Sequence, residues 1–259
     1  GLEINVQRIL AQIGLDGPPV RASSAAGLNP AVVAEGGRFV LGFETALGGL
    51  RAGAVPEVGT IGSVTTSTLS TSTSAQSLVR LAPLGQDLLA VWQDARNADR
   101  DIYGVRIDPA TLMPRGRDFA IARARNDQLA PDIAGDAQGT LAVWQDRRNT
   151  ATNAQIFGAR IDASTGNVLD EPGFPLFAFN ANAFEAAVEK APGRDYLVAA
   201  IRFGQPSRLF LRVVRDEDPT GTLTPQGRTV VPADGTSTAT VGFGVVRGPS
   251  MLPVVDGTL

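Results

Sequence analysis

The sequence contains no cysteine and no histidine. The first absence excludes disulfides, thiolate metal sites and thiol nucleophiles. The second excludes a Ser-His-Asp triad, a histidine general base and imidazole metal sites. Lysine is nearly missing too: Lys190 is the single example, so positive charge is otherwise carried by arginine. Any chemistry therefore falls to carboxylates, Tyr, Lys, Arg or a carboxylate-bound cation. No apolar run approaches the ~20 residues of a membrane-spanning helix. The net charge of −3 is too small to draw in nucleic acid or an anionic membrane. No signal peptide is evident, and Gly1 in place of an initiator Met reads as a processed start.

What is present is a repeat. Leu89-Ala-Val-Trp-Gln-Asp94 recurs as Leu141-Ala-Val-Trp-Gln-Asp146. Ile102-Tyr-Gly-Val-Arg-Ile-Asp108 recurs as Ile156-Phe-Gly-Ala-Arg-Ile-Asp162. Weaker copies of the Trp segment are Val40–Thr45, Leu197–Arg202 and Met251–Asp256, with Phe43, Ala200 and Val254 in the Trp slot. Each unit reads as four strands. A short apolar strand comes first, such as Pro131–Ala134. A Gly- or Asp-containing turn leads to the Trp strand, then the Ile-Tyr-Gly strand, then a final apolar run such as Arg117–Ala122. Short strands and turns at this spacing predict an all-β chain.

The last unit stops after its second strand, and the first residues supply the missing half. Ile4–Leu10 aligns with Ile102–Asp108, and Val20–Ser23 serves as a fourth strand. Four whole units plus two halves predict one five-bladed β-propeller of four-stranded antiparallel blades, one of them closed by the N- and C-terminal strands. Closure removes exposed strand edges, and five lies within the known range of blade numbers. The blades fall at about 28–74, 75–127, 128–183, 184–238, and 239–259 plus 1–27, all in a single domain. A chain that ends just after a second strand also fits a domain cut from something longer.

Recurrent polar residues read as architecture. Asp94 with Arg106, Asp146 with Arg160 and Asp256 with Arg8 are expected as cross-strand ion pairs. Trp92 and Trp144 are expected between neighbouring blades, against the rival reading of a sugar-stacking platform. Asp136–Gly139 faintly resembles a sialidase Asp-box turn but lacks its Ser. The Ser/Thr-rich stretch Thr60–Ser74 reads as a solvated outer edge strand; a ligand-facing surface or O-glycosylation are its alternatives. Asp99 and Asp101, in a polar turn, are weighed as Ca²⁺ ligands, but no EF-hand spacing supports them.

The motif Trp-Gln-Asp-x-Arg-Asn…Asp-Ile-Tyr-Gly-x-Arg-Ile, carried well over Trp92–Asp108 and Trp144–Asp162 and in degraded form elsewhere, resembles a group of repeat proteins secreted or displayed by bacteria. The resemblance implies a propeller and an extracytoplasmic location, and no known reaction. More distantly, the blade count is similar to that of arabinanase-type glycosidases, which use three acidic residues around a central cavity. Asp132 and Glu185, at or beside innermost strands, are the pair weighed on that comparison.

The leading expectation is a non-catalytic binding or scaffold propeller of a secreted or cell-surface protein, with a glycan or protein ligand. No catalytic, cofactor-binding or metal residue is assigned, no cofactor is implied, and the ligand-binding residues are left unknown. The alternatives are a carboxylate-dependent glycoside hydrolase, which needs two acidic side chains about 5–10 Å apart, or a structural domain of a larger surface assembly. Acidic residues gathered at the channel with one raised pKa would favour the enzyme.

Overall fold

The computed structural model describes residues 3–10, 14–22, 27–177, 182–190, 195–202, 208–215 and 228–229. Among them there is no helix. Strands β1 (Asn5–Leu10) and β2 (Gly14–Arg21) form a two-stranded sheet. Four antiparallel four-stranded sheets follow in chain order. Sheet one is β3 (Gly27–Glu35), β4 (Arg38–Thr45), β5 (Leu50–Pro56) and β6 (Thr66–Thr68). Sheet two is β7 (Gln76–Leu84), β8 (Asp87–Asn97), β9 (Asp99–Ile107) and β10 (Phe119–Ala122). Sheet three is β11 (Gln128–Gly135), β12 (Gly139–Asp146), β13 (Gln155–Asp162) and β14 (Phe174–Phe177). Sheet four is β15 (Ala183–Lys190), β16 (Asp195–Arg202), β17 (Arg208–Arg215) and β18 (Arg228–Thr229). The expected pairing of the last strands with the first concerns residues 239–259, which lie outside the described residues.

The sheets stack face to face because their second strands are apolar on both sides. Along β8, Leu88, Ala90 and Trp92 enter the core shared with sheet one, while Leu89 and Val91 enter the core shared with sheet three. Along β12, Ala142 and Trp144 face sheet two, while Leu141 and Val143 face sheet four. A strand alternates faces at each residue, so a strand buried on both sides reads as an unbroken apolar run. Both tryptophans are fully buried. They lie between neighbouring sheets as expected, which removes the sugar-platform reading. Phe43, in the same slot, packs with Leu41 against Ile4 and Ala22 of the amino-terminal sheet.

The register corrects the expected ion pairs. Asp94 is opposite Asp101, whereas Arg106 is opposite Leu89, about 16 Å further along the strand at ~3.3 Å per residue. Arg106 instead pairs with Asp87 at 2.6 Å, and Arg160 with Asp170 at 2.7 Å. The partner of Asp94 is local: Arg96 Nη2 lies 2.6 Å from it, and Arg148 Nη2 lies 2.6 Å from Asp146. The indole N–H groups complete each cluster, Trp92 Nε1 donating to Asp94 at 3.0 Å and Trp144 Nε1 to Asp146 at 2.8 Å. Each guanidinium then lies over a ring on the third strand, Arg96 over Tyr103 at 3.9 Å and Arg148 over Phe157 at 4.2 Å. Asp256 and the side chain of Arg8 lie outside the described residues.

The Ser/Thr stretch is also corrected in part. Only Thr66–Thr68 forms an edge strand. Beyond it the hydroxyls turn inward: Ser74 Oγ donates to Asp94 at 2.6 Å, Ser70 Oγ donates to Asp118 at 2.8 Å, and Gln76 Nε2 donates to both Ser70 and Asp94. Arg96 joins the two carboxylates, reaching Asp118 at 2.8 Å. Burial pushes the Asp94 carboxyl up, but hydrogen bonds from Arg96, Ser74, Gln76 and Trp92 outweigh it and hold the group far below the usual carboxylate range. Asp94→Ala therefore leaves three neutral donors without their acceptor and Arg96 with Asp118 as its one carboxylate. The expected loss is about 3–5 kcal/mol of stability, measured by urea denaturation, and Asp94→Asn should lose less.

Candidate functional site

The first strands of successive sheets lie side by side, β3 against β7, β7 against β11, and β11 against β15. Each carries the same irregularity. The register slips between Leu28 and Ala31, Ser77 and Arg80, Leu129 and Asp132, and Phe184 and Ala187. Within each slip one residue is left-handed: Asn29, Leu78, Ala130 and Glu185, at φ 49°, 57°, 47° and 51°. Such a conformation is costly for any residue with a side chain. Hydrogen bonds across the sheet boundary offset the cost. The Leu78 amide donates to the Glu44 carboxylate at 2.6 Å, and the Ala130 amide donates to Gln93 Oε1 at 3.1 Å. Asn29 Nδ2 also donates to Glu44, at 2.5 Å, and Gln93 Nε2 donates to Ser77 Oγ at 2.8 Å. The Gln of Trp-Gln-Asp is therefore a latch between sheets. Its recurrence was visible in sequence, but its partner, a backbone amide, was not.

Two residues past each left-handed residue stand Ala31, Arg80, Asp132 and Ala187. Asp132 joins three first strands. Its Oδ2 accepts from the Val188 amide of β15 at 2.9 Å, and its Oδ1 lies 3.7 Å from Arg80 Nε of β7. Enclosure among these strands pushes the carboxyl up to about 6, against the Val188 hydrogen bond and the Arg80 charge, with Glu189 adding to the rise. The side chain nonetheless keeps 26% of its exposure, so it is enclosed yet reachable. Burial raises Glu189 as well.

Of the expected pair, Glu185 is exposed and lies on β15, three residues before the amide that Asp132 grips. No direct contact joins the two side chains among the described residues. Arg80 was missed by sequence reading; its one signal is that it holds the place in β7 that Asp132 holds in β11.

Asp99 and Asp101 each take a donor of their own. Asp99 accepts from the Asn126 amide at 3.0 Å, and Asp101 accepts from Asn97 Nδ2 at 2.7 Å. Burial raises the Asp101 carboxyl, opposed by that Asn97 bond. Among the described residues no group of three or more acidic side chains is placed to hold a metal ion. At the opposite end of sheet two, an open pocket of about 430 Å³ is lined by Asp87, Arg106, Asp108 and Arg115. Its charges are spent on one another, with Arg115 at 2.8 Å from Asp87 and 2.6 Å from Asp108. Asp136, of the turn likened to an Asp box, meets Lys190 at 3.1 Å and caps the amides of Gln138 and Gly139, a structural role.

No protein-family model and no curated protein matches the chain. Solved structures do. An endo-arabinase from Bacteroides thetaiotaomicron aligns at 17% identity over 84% of this chain and 88% of its own, with a TM-score of 0.52. The α-L-arabinofuranosidase of Podospora anserina, solved with cellotriose, aligns at 11% identity and TM-score 0.46 over 73% of this chain. The NanB sialidase of Streptococcus pneumoniae aligns at 8% and 0.48 over 69%. The chain spans only 63% of the arabinofuranosidase and 27% of the sialidase. The endo-arabinase likeness identifies the fold as a β-propeller. It also corrects the leading expectation of a non-catalytic binding or scaffold module, because the solved structure that shares this fold at a TM-score above 0.5 is an enzyme, an endo-arabinase. The likeness shows the fold, and fold by itself does not carry a reaction across.

The Asp132 shift gives a stability prediction with a definite sign. A carboxyl raised in the folded state stabilises the fold while protonated, and that contribution is lost as pH rises through about 6. Asp132→Asn should therefore gain on the unmodified chain between pH 4 and 7, by roughly 2–3 kcal/mol at ~1.4 kcal/mol per pKa unit, and the gain should level off above. Urea midpoints across that range measure it.

Proposed function

We propose that the chain is a carboxylate-dependent glycoside hydrolase of the five-bladed type, with Asp132 as the proton donor. The observation that carries this reading is the Asp132 carboxyl itself, enclosed where three first strands meet, still reachable, and raised to about 6. A general acid must hold its proton near the working pH and give it up at the leaving oxygen. With neither His nor Cys in the chain, carboxyls are the natural groups for this task. Glu185, exposed on the adjacent first strand, is the second carboxylate. Asp132 would protonate the glycosidic oxygen while Glu185 either attacks the anomeric carbon or activates water toward it, the spacing of the two deciding which.

The same reading takes residues 239–259 as the strands that complete a fifth blade with β1 and β2. The packing of Ile4 and Ala22 on Phe43 and Leu41 supports it, since it repeats the way sheet one covers Trp92 and sheet two covers Trp144. It also keeps the extracytoplasmic location implied by the Trp-Gln-Asp repeats, with a glycan as the ligand. Arabinan is the first substrate to try, because the endo-arabinase shares the fold.

Turnover should be measured by release of reducing sugar from arabinan and a panel of other plant and microbial glycans. Activity is expected to fall as pH rises through about 6, where Asp132 loses its proton. Asp132→Asn should lower kcat/KM by about 10²–10⁴-fold while the chain stays folded, and Glu185→Gln should also be severely impaired. No turnover of any glycan by the unmodified chain would overturn the proposal.

A further inference from the structure

We infer that the partly exposed Arg80–Asp132 pair receives a glycan bearing a carboxylate, with Arg80 as the residue that recognises it. The inference rests on the hydrolase reading for the nature of the ligand and goes beyond it in naming the charge. Its basis is how unlike the aspartate-paired arginines of sheets two and three Arg80 is. Arg96, Arg106, Arg148 and Arg160 each hold an aspartate at 2.6–2.7 Å. Arg80 approaches Asp132 only through Nε at 3.7 Å, beyond hydrogen-bonding range, and donates through Nη1 to the Val79 carbonyl at 3.0 Å. A guanidinium has five N–H donors arranged as a planar fork, so most of this one is uncommitted among the described contacts. Its side chain keeps 23% of its exposure.

The equivalent positions in the neighbouring sheets carry small side chains. In the sheets flanking sheets two and three, the places equivalent to Arg80 and Asp132 are Ala31 and Ala187. The Arg–Asp pair is thus bordered by small side chains at that level. A carboxylate binds such a fork side-on through two parallel hydrogen bonds, which an ammonium cannot reproduce.

Protonation links recognition to catalysis. As proton donor, Asp132 is neutral, and the anion nearest Arg80 is then lost. The remaining charged group acting on Asp132 from β15 is Glu189, itself raised by burial. The acid form of the site therefore leaves Arg80 without the charge of its nearest carboxylate, and a substrate carboxylate supplies that anion. Substrate binding in turn favours the protonated Asp132 over the ionised one.

The test is calorimetric titration of the full chain with trigalacturonate, trimannuronate and sialyllactose, each beside its methyl ester. The ester keeps the shape and removes the charge. Near pH 5.5 at least one acid should bind about tenfold or more tightly than its ester. That preference should shrink as pH rises past about 6 and Asp132 ionises. Arg80→Met should bring acid and ester to the same Kd, and Arg80→Lys should keep only part of the preference. If Arg80→Met does not fold, the acid–ester contrast and its pH dependence in the unmodified chain decide the matter. Equal binding of acid and ester in all three pairs overturns the inference. Turnover of neutral glycans without an acid preference would remove the role of Arg80 and leave the hydrolase reading standing. An acid preference with no turnover of any glycan would do the reverse.

Discussion

The structure turns on a hydrogen bond that crosses from one sheet to the next. Each first strand bulges and rotates one backbone amide out of its own ladder. In sheets two and three the second strand of the preceding sheet answers with a side-chain acceptor, Glu44 to Leu78 and Gln93 to Ala130. A bulged strand bends and re-aims the side chains that follow it. Because all four first strands slip at the same place, the residues just past the slip share a level. Arg80 and Asp132 meet there although 52 positions separate them in the chain. Without the bulge the register would shift by one, and those side chains would face opposite sides of their sheets.

Further out, a second device is repeated with unequal fidelity. In sheets two and three an indole, a carboxylate, a guanidinium and a ring on the third strand stack in that order. Sheet four keeps only the end of the chain of contacts: Ala200 replaces the indole, and Arg202 stands in the aspartate slot. Its guanidinium still lies over a ring, that of Phe210, at 5.4 Å. What is retained is cation over aromatic surface, which shields the end of the interface core while the charged tip stays partly wet. The aspartates of the Trp-Gln-Asp motif are thus committed to architecture and withdrawn from chemistry. That division isolates Asp132, a carboxyl outside the repeat with no strongly paired arginine.

The likeness to the endo-arabinase speaks to the arrangement of sheets, and the reaction has to be argued from side chains. A loosely paired arginine and a proton-bearing carboxyl at one level of the first strands are an economical start for cleaving an acetal. In the hydrolase proposed above, one group supplies the proton and the other fixes where an anionic sugar sits. Both depend on the same enclosure, since low polarity around Asp132 raises its affinity for a proton and strengthens the pull of Arg80 on an anion.

The repeat period, the all-β character and the strands of sheets two and three were legible in the sequence, because strands buried on both faces write themselves as apolar runs around Trp92 and Trp144; the third strand of sheet one, Leu50–Pro56, was not, since the Thr-rich run after it was read in its place. The amino-terminal hairpin was legible too, since Ile4–Leu10 carries the spacing of a third strand. The partners of Asp94 and Asp146 were not, because sequence spacing does not say which end of a hairpin a residue occupies; pairing Asp94 with Asp101 put Arg106 out of reach. Asp132 was legible as an acid near an innermost strand. Its proton affinity and its contact with Arg80 were decided only by tertiary structure, because desolvation and charge proximity depend on how three strands from three different sheets converge.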